Sequence, residues 1–387
     1  MEQYLGYSVA ELERSSGYWT AKEINQQPAC WAQTAAITRE CEPQIKHFMD
    51  YVYSYPNLRI VLTGAGTSAF AGRSLALGLT QRLQRRVDAI STTDIVSNPK
   101  QCFAENIPTL LVSFARSGNS PESVAAVELA NQILTECFHL VLTCNADGKL
   151  YNRCSSDKQS LALLMPTETN DQSFAMTSSF SSMMIAAFSV LMYGSDHSKE
   201  IESICKCSVG LIKDLNSQIK DTAYQKLERV IYLGSGGLQG LAQESALKLL
   251  ELTAGKVVAT YDSPLGFRHG PKSIVNQDTM IVVFISNDSY TRKYDLDLLA
   301  EICRDNIAAQ VVAITAQVDE IETRADVIRV PSMEAATDIE LLFPYMLYAQ
   351  MYAFHRALAL GNTPDNPCPT GEVNRVVQGV TIHDLSN

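Results

Sequence analysis

The sequence predicts an α/β protein with two tandem copies of one domain, each a five-stranded parallel sheet flanked by helices. Short apolar runs alternate with helical stretches, and strands that are apolar throughout are typical of parallel sheets covered on both faces. The second observation is an internal repeat. The Gly-x-Gly loop at Gly64 recurs at Gly234, and the strand that begins at Thr109 recurs at Thr279, with the same separation along the chain in both cases. A constant offset at two separate elements predicts a tandem repeat.

The order of strands and helices predicts a flavodoxin-like domain in each copy. In the first copy the predicted strands are residues 59–63, 87–90, 109–114, 139–144 and 161–166. In the second copy they are residues 230–233, 257–261, 279–285, 310–315 and 327–330. A long apolar helix then ends each copy, at residues 177–193 and 339–360.

The chain is predicted to divide into four parts. They are a helical arm (residues 1–50), a first domain (51–200), a second domain (215–360) and a C-terminal tail (361–387). We expect the tail to close the active site.

Composition excludes several classes of function. A net charge of −11 argues against a nucleic-acid groove, although a local nest of donors can still bind a small phosphate. The ten scattered cysteines predict free thiols in a reducing cytoplasm. The most apolar run, residues 183–192, is too short to span a bilayer, and no secretory signal is expected. No His, Asp or Glu group has metal-ligand spacing, so we expect neither a metal nor a cofactor.

A loop after the first strand has the composition of an anion site. Gly66, Thr67 and Ser68 follow the strand and begin a helix. Glycine there allows a close approach of the backbone, and N–H groups at a helix N-terminus favour an anion. The third glycine of the dinucleotide-binding fingerprint is missing. By itself the loop is equally consistent with a tight strand-to-helix turn.

A second loop, after the third strand of the first copy, strengthens this interpretation. It contains Arg116, Ser117, Gly118 and Ser120. Ser120 is a good N-cap, so helix capping is the alternative explanation. A cap needs one hydroxyl, whereas two flank the glycine here. Because ligands bind beyond the carboxyl ends of parallel strands, the two loops together predict a phosphate cradle that needs no metal.

The second copy keeps Ser235 and Ser286 but lacks the Gly-Thr-Ser and Ser-Gly-x-Ser cores, and it has a charged helix instead. Glu244, Lys248 and Glu251 lie at spacings i, i+4 and i+7, on one face of that helix. Such a stripe is usually a solvated surface, but the other faces of this helix are apolar. His269 follows in a rigid turn, where imidazole is a credible acid–base group, although a lone loop histidine is more often structural or solvated. We predict that the first copy binds phosphate and the second transfers protons at one shared site.

The two copies resemble sugar isomerase (SIS) domains. Residues 66–68 and 117–120 are similar to the phosphate-binding loops of that family. Residues 244–251 and 268–271 are similar to the catalytic segments in the isomerase half of glucosamine-6-phosphate synthase.

This resemblance implies a role for each matching residue. Glu251 would move the proton between C1 and C2 of the open sugar, with Glu244 in the same catalytic segment. His269 would help to open the sugar ring and would be contributed across a dimer interface. Lys248 would contact the reacting end, and the loop with Ala175 and Thr177 would line the sugar pocket.

Two features differ from the synthase. Its ammonia-supplying glutaminase domain has no counterpart in residues 1–50. Gln378 stands where the synthase tail has the lysine that forms an imine with the ketose. We therefore expect deamination or plain aldose–ketose isomerisation, with Gln378 among the substrate-binding residues.

Residues 23–28 and 366–379 resemble the AgaS family, described as galactosamine-6-phosphate deaminase or tagatose-6-phosphate ketose/aldose isomerase. The resemblance implies conversion of D-galactosamine 6-phosphate to D-tagatose 6-phosphate and ammonium. It also implies a cytoplasmic homodimer, or dimer of dimers, that shares its active site and binds neither nucleic acid nor membrane. Two alternatives stay open: an isomerase of a non-amino hexose 6-phosphate, and a non-catalytic sugar-phosphate-binding regulator.

Overall fold

The structure is a computed structural model that describes residues 2–155, 157, 159–318, 321, 324–371, 373–375, 377 and 379–385. In chain order the strands are β1 (Gln3–Tyr4), β2 (Tyr7–Ser8), β3 (Arg59–Thr63), β4 (Val87–Ala89), β5 (Thr109–Ala115), β6 (Cys137–Thr143), β7 (Ser160–Leu164), β8 (Arg229–Gly234), β9 (Val258–Asp262), β10 (Thr279–Phe284), β11 (Gln310–Thr315) and β12 (Asp326–Arg329). In chain order the helices are α1 (Val9–Arg14), α2 (Tyr18–Asn25), α3 (Gln27–Glu40), α4 (Glu42–Tyr53), α5 (Thr67–Leu83), α6 (Thr92–Ser97), α7 (Pro99–Cys102), α8 (Pro121–Ile133), α9 (Lys149–Cys154), α10 (Ser178–Leu191), α11 (Ser198–Ala223), α12 (Gly237–Leu252), α13 (Pro264–Phe267), α14 (Thr291–Asp305) and α15 (Asp338–Ala359).

Two parallel sheets confirm the predicted fold class. Within the described residues each sheet has five strands, in the orders β4-β3-β5-β6-β7 and β9-β8-β10-β11-β12. Both are the flavodoxin-like order, in which the chain starts near the centre and winds to both edges. Every strand of the two sheets overlaps the range predicted for it. The continuous apolar runs form strands because helices cover both faces, which leaves no polar side.

The repeat extends to the register of strand pairing. Arg59 pairs with Thr109 in the first sheet and Arg229 with Thr279 in the second, so the offset between the two copies is kept across two strands. The glycines before α5 and α12, Gly66 and Gly236, have φ angles of 55° and 58°. Both domains therefore share one strand–turn–helix geometry and differ in the side chains of their loops.

The chain forms two compact units, each around one sheet. The first unit comprises residues 29–171, 176–198 and 371–387, and the second comprises residues 1–28, 172–175 and 199–370. The predicted N-terminal helices are present as α1 to α4. In the second unit, Asp365 accepts hydrogen bonds from the N–H groups of Trp19 and Thr20, at 3.0 and 2.8 Å, and so caps α2.

Helices α10 and α15 are mainly apolar and are buried along nearly their whole length. None of the helices in the described part of the chain has the length and hydropathy that a membrane span requires. The ten cysteines are free thiols.

We predict that Gly234→Ala destabilises the protein by about 1–3 kcal/mol, the usual cost of overpacking. The added Cβ would lie 2.4 Å from the carbonyl oxygen of Leu238. Gly210→Ala in α11 is the matched control, since nothing lies within 4 Å of its added Cβ. This control should gain about 0.5–1 kcal/mol from helix propensity. Urea unfolding measures both changes, and wild-type stability of Gly234→Ala would contradict the close approach.

Candidate functional site

The first predicted phosphate loop lies at the carboxyl end of β3, in the first unit. Gly66 is the N-cap of α5, and Thr67 and Ser68 are buried in the first helical turn. Gly64 has no space for a side chain, because an added Cβ would lie 2.5 Å from Cβ of Ser68. The glycines therefore bring the N-terminus of α5 to this edge of the sheet, where an anion is favoured.

The second predicted loop follows β5, the strand beside β3. Ser120 does cap α8: its Oγ accepts a hydrogen bond from N of Ser123 at 3.3 Å. Oγ of Ser117 accepts a hydrogen bond from N of Asn119, also at 3.3 Å. The hydroxyl hydrogen of Ser117 takes no part in this bond. Gly118 has a φ of 65° and packs against Gly148. The capping alternative thus holds for Ser120 and does not account for Ser117.

Arg116 supplies a buried positive charge to this loop. Its Nη2 donates to the carbonyl oxygen of Arg375 at 3.1 Å, so the tail contacts the loop within the first unit. Its Nη1 is buried and has no hydrogen-bond partner among the described residues. Buried donors are normally bonded, and guanidinium suits phosphate oxygens. Arg116 is therefore well placed to bind an anion.

Asp171, which the sequence did not point to, shapes the loop before α10. Its carboxylate accepts hydrogen bonds from N of Thr177 at 2.8 Å and from N and Oγ of Ser179 at 2.9 and 2.6 Å. Oγ1 of Thr177 is buried without a partner in the described part of the chain. Sδ of Met176 lies 3.9 Å from Oγ of Ser68. This loop therefore reaches the first phosphate loop.

The remaining predicted substrate residues lie elsewhere. Ala175 is buried in the second unit, where its carbonyl oxygen accepts a hydrogen bond from Oγ of Ser173 at 2.8 Å. The carboxylate of Glu23, in α2, accepts bonds from the N–H groups of Gln172 and Ser173 and fixes this segment. Gln378 lies outside the described residues.

The charged stripe on α12 is a buried cluster and not a solvated surface. The side chains of Glu244 and Lys248 are each 1% exposed, whereas that of Glu251 is 23% exposed. Nζ of Lys248 lies 3.4 Å from Oε1 of Glu244 and donates a short hydrogen bond to Oε2 of Glu251. The cluster therefore presents one carboxylate, Glu251, to its surroundings.

Charge keeps Lys248 protonated inside the unit. Burial would lower the pKa of Lys248, but the carboxylates of Glu244 and Glu251 outweigh burial and raise it. A buried ammonium is tolerated only with such partners. Lys248 therefore holds Glu251 in place through a charge-assisted bond.

His269 is in the predicted turn, between α13 and a short 3₁₀ turn at Pro271–Ile274. Its side chain is exposed, and Gly270 after it has a φ of 117°. Among the described residues, no hydrogen bond or ion pair joins His269 to the cluster on α12. Its role in opening the ring stays a prediction.

The second unit has its own carboxylate where the first unit has the phosphate loops. Asp295, in α14, accepts hydrogen bonds from Oγ of Ser235 and N of Ser286, at 2.5 and 2.9 Å. Burial raises the pKa of Asp295 to about 6, against hydrogen bonds that lower it. The sequence contained a signal that we did not use: Asp295 lies on the apolar stripe of α14, with Leu298 and Ile302.

In the described part of the chain, no group of three or more His, Cys, Asp or Glu side chains is placed to hold a metal ion. At its predicted phosphate loops the first unit offers hydroxyls, backbone N–H groups and one guanidinium. The second unit offers the charged cluster on α12.

The fold agrees with the comparisons with known proteins. Two stretches of the chain, residues 55–192 and 223–360, match the SIS domain family, and the chain belongs to that family.

Among its relatives, D-galactosamine-6-phosphate deaminase AgaS of Escherichia coli is 47% identical over 372 residues, which cover 95% of this chain and 96% of that protein. The protein of the same name from Shewanella sp. (strain ANA-3) is 44% identical, over 97% of this chain and 94% of its own. The crystal structure of tagatose-6-phosphate ketose/aldose isomerase from Escherichia coli has a TM-score of 0.91 and 44% identity, and the match covers 100% of both chains. The resemblance to the AgaS family is confirmed.

We predict that Asp295 makes the stability of the protein depend on pH. Because burial raises its pKa in the folded state from 3.8 to about 6, its contribution is fully present below about pH 3.8 and is lost as the pH rises through about 6. From about pH 4 to pH 7, wild type should lose about 2–3 kcal/mol relative to Asp295→Asn. Urea unfolding across this range measures the difference, and parallel pH profiles of the two proteins would contradict it.

Proposed function

We propose that the protein is an amino-sugar-phosphate deaminase that converts D-galactosamine 6-phosphate to D-tagatose 6-phosphate and ammonium. The observation that carries the proposal is the cluster on α12, in which a partly exposed glutamate is paired with a fully buried lysine. A regulator that only binds a sugar phosphate needs the loops of the first unit and no paired acid–base group. The proposed substrate is inferred from the names of the similar proteins.

In this proposal the first unit binds the phosphate. Ser68 and Ser117 donate hydrogen bonds to the 6-phosphate, with Gly66, Thr67 and Gly118 shaping the loops around it. Ser120, whose hydroxyl donates to Oγ of Ser123 at 2.6 Å, holds the start of α8 beside the phosphate. The unpartnered Nη1 of Arg116 supplies positive charge. These contacts are the same before and during the reaction, so they position the reacting carbons and do not take part in bond changes.

The second unit transfers the proton. His269 assists the opening of the ring. Glu251, as carboxylate, removes the proton from C2 while the aldehyde oxygen at C1 gains a proton, and the product is an enaminol. Glu251 then returns its proton to C1, which leaves an imine at C2. Lys248 stabilises the negative charge that develops near C1.

Water completes the reaction. It adds to the imine at C2, the C–N bond breaks, and ammonium leaves with a ketose 6-phosphate as the other product. One water is consumed for each C–N bond broken, which makes the overall reaction a hydrolytic deamination.

A second candidate is aldose–ketose isomerisation of a hexose 6-phosphate without nitrogen. The name of the similar Escherichia coli structure favours it. The step at Glu251 is the same, but C2 carries oxygen and no ammonium forms. Parallel assays with galactosamine, glucosamine and tagatose 6-phosphates, followed by ammonium and ketose, distinguish the two reactions.

The proposal includes a cytoplasmic homodimer. Free thiols fit a reducing compartment. The exposed His269, which has no bond to the cluster on α12 among the described residues, fits a residue contributed to the partner subunit. Sedimentation of the purified chain and complementation between Glu251→Gln and His269→Ala subunits test this part.

We predict that Glu251→Gln lowers kcat for ammonium release by about 10²–10⁴-fold, the usual contribution of a general base. The amide keeps the shape of the side chain and cannot accept the C2 proton. Glu228→Gln is the control, since Glu228 is an exposed glutamate of the same unit. A Glu251→Gln protein with unchanged turnover would exclude Glu251 as the base.

We predict that Ser117→Ala raises KM about tenfold with little change in kcat, since it removes a bond of about 1.5 kcal/mol that is made equally before and during the reaction. Ser97→Ala is the matched control, because Ser97 is exposed on α6 of the same unit. Steady-state kinetics measure both parameters. A fall in kcat at constant KM would contradict the role of an anchor.

A further inference from the structure

The loops after β8 and β10 of the second unit donate hydrogen bonds to two carboxylates of the same unit. Oγ of Ser235 and N of Ser286 donate to Asp295, at 2.5 and 2.9 Å. Oγ of Ser286 and N of Asn287 donate to Asp338, at 2.6 and 2.8 Å. Two hydroxyls and two backbone N–H groups thus donate to two carboxylates, and Ser286 donates to both of them. This is the donor set that a phosphate group accepts from loops at the carboxyl edge of a parallel sheet.

The repeat shows what stands at these positions in the first unit. With the offset that relates Thr279 to Thr109, Asn287 corresponds to Ser117 and Ser286 to Arg116. Asp295, the fifth residue of α14, corresponds to Ala125, the fifth residue of α8. Alanine cannot accept a hydrogen bond through its side chain, so α8 offers no carboxylate at this position.

The two carboxylates are costly to keep where they are. Asp295 is fully buried, and burial raises the pKa of Asp295 and of Asp338. A buried carboxylate persists when charge-assisted hydrogen bonds offset its lost hydration. The four donors of the loops do this, and in return the carboxylates satisfy all four donors.

We propose that Asp295 and Asp338 are internal anions, which take the place of a ligand phosphate in the second unit and close a latent phosphate site there. The chain therefore binds one sugar phosphate and not two, although it contains two domains of one fold. The ligand class of the latent site is a phosphate monoester or inorganic phosphate. The proposal depends on the hydrogen bonds of the second unit and goes beyond the proposed reaction.

The test opens the latent site and uses inorganic phosphate as the probe. Ser68→Ala with Ser117→Ala removes the anchor of the first unit, and Asp295→Ala is then added to this background. Titration calorimetry should show phosphate binding about tenfold tighter than in the background, equivalent to about 1.4 kcal/mol. Asp288→Ala in the same background is the matched control. It removes an equal charge from the loop that precedes α14, where Asp288 caps this helix through Thr291, and it leaves Asp295 in place.

Three results would overturn the proposal: equal gains in the Asp288→Ala and Asp295→Ala proteins, a folded Asp295→Ala protein without any gain, or two phosphates bound to each wild-type chain. If Asp295→Ala does not fold, the number of phosphates bound to each wild-type chain still tests the proposal. Failure of the proposed reaction would be seen in other measurements, as absent turnover or as absent phosphate binding by the first unit. Neither result changes the increase in phosphate affinity expected from Asp295→Ala.

Discussion

The parallel pairing of the first and third strands is the constraint on which both units depend. Because β3 pairs with β5, and β8 with β10, two loops end side by side at the carboxyl edge of each sheet. A helix begins at each of these loops, so N–H groups of its first turn have no partner within the helix. In each unit, these N–H groups need hydrogen-bond partners from outside the helix.

The two units satisfy these donors by opposite means. The second unit uses its own carboxylates, Asp295 and Asp338, as acceptors for donors of Ser235, Ser286 and Asn287. The first unit has Ala125 in place of a carboxylate and has a buried guanidinium, Arg116, with an unpartnered Nη1 among the described residues. The same backbone thus carries loops whose donors meet carboxylates of the chain in one unit, and loops with an unpartnered guanidinium nitrogen among the described residues in the other. The two copies of the repeat therefore differ in the charged side chains that lie at their loops.

Buried charge also organises the cluster on α12 in the second unit. Lys248 is stable in the interior because it has two carboxylates around it, and their attraction exceeds the cost of its burial. One partner, Glu244, is buried, while the other, Glu251, keeps an exposed fraction of 23%. The arrangement places a single oriented carboxylate at the surface of a rigid helix. A general base needs this combination of fixed geometry and access to substrate.

The sequence by itself determined the repeat, the order of the strands, the loops at the carboxyl edge and the common face of Glu244, Lys248 and Glu251. The repeat follows from the constant offset between its two copies, and the strands and the helix face follow from periodicity within short stretches of chain. Only the tertiary structure decided that the stripe on α12 is buried, because exposure depends on what packs against a helix. It alone paired Ser235 with Asp295, 60 residues away, and Ser286 with Asp338, 52 residues away. No local pattern fixes which distant acceptor meets a donor, since that choice is made by packing of helices on the sheet.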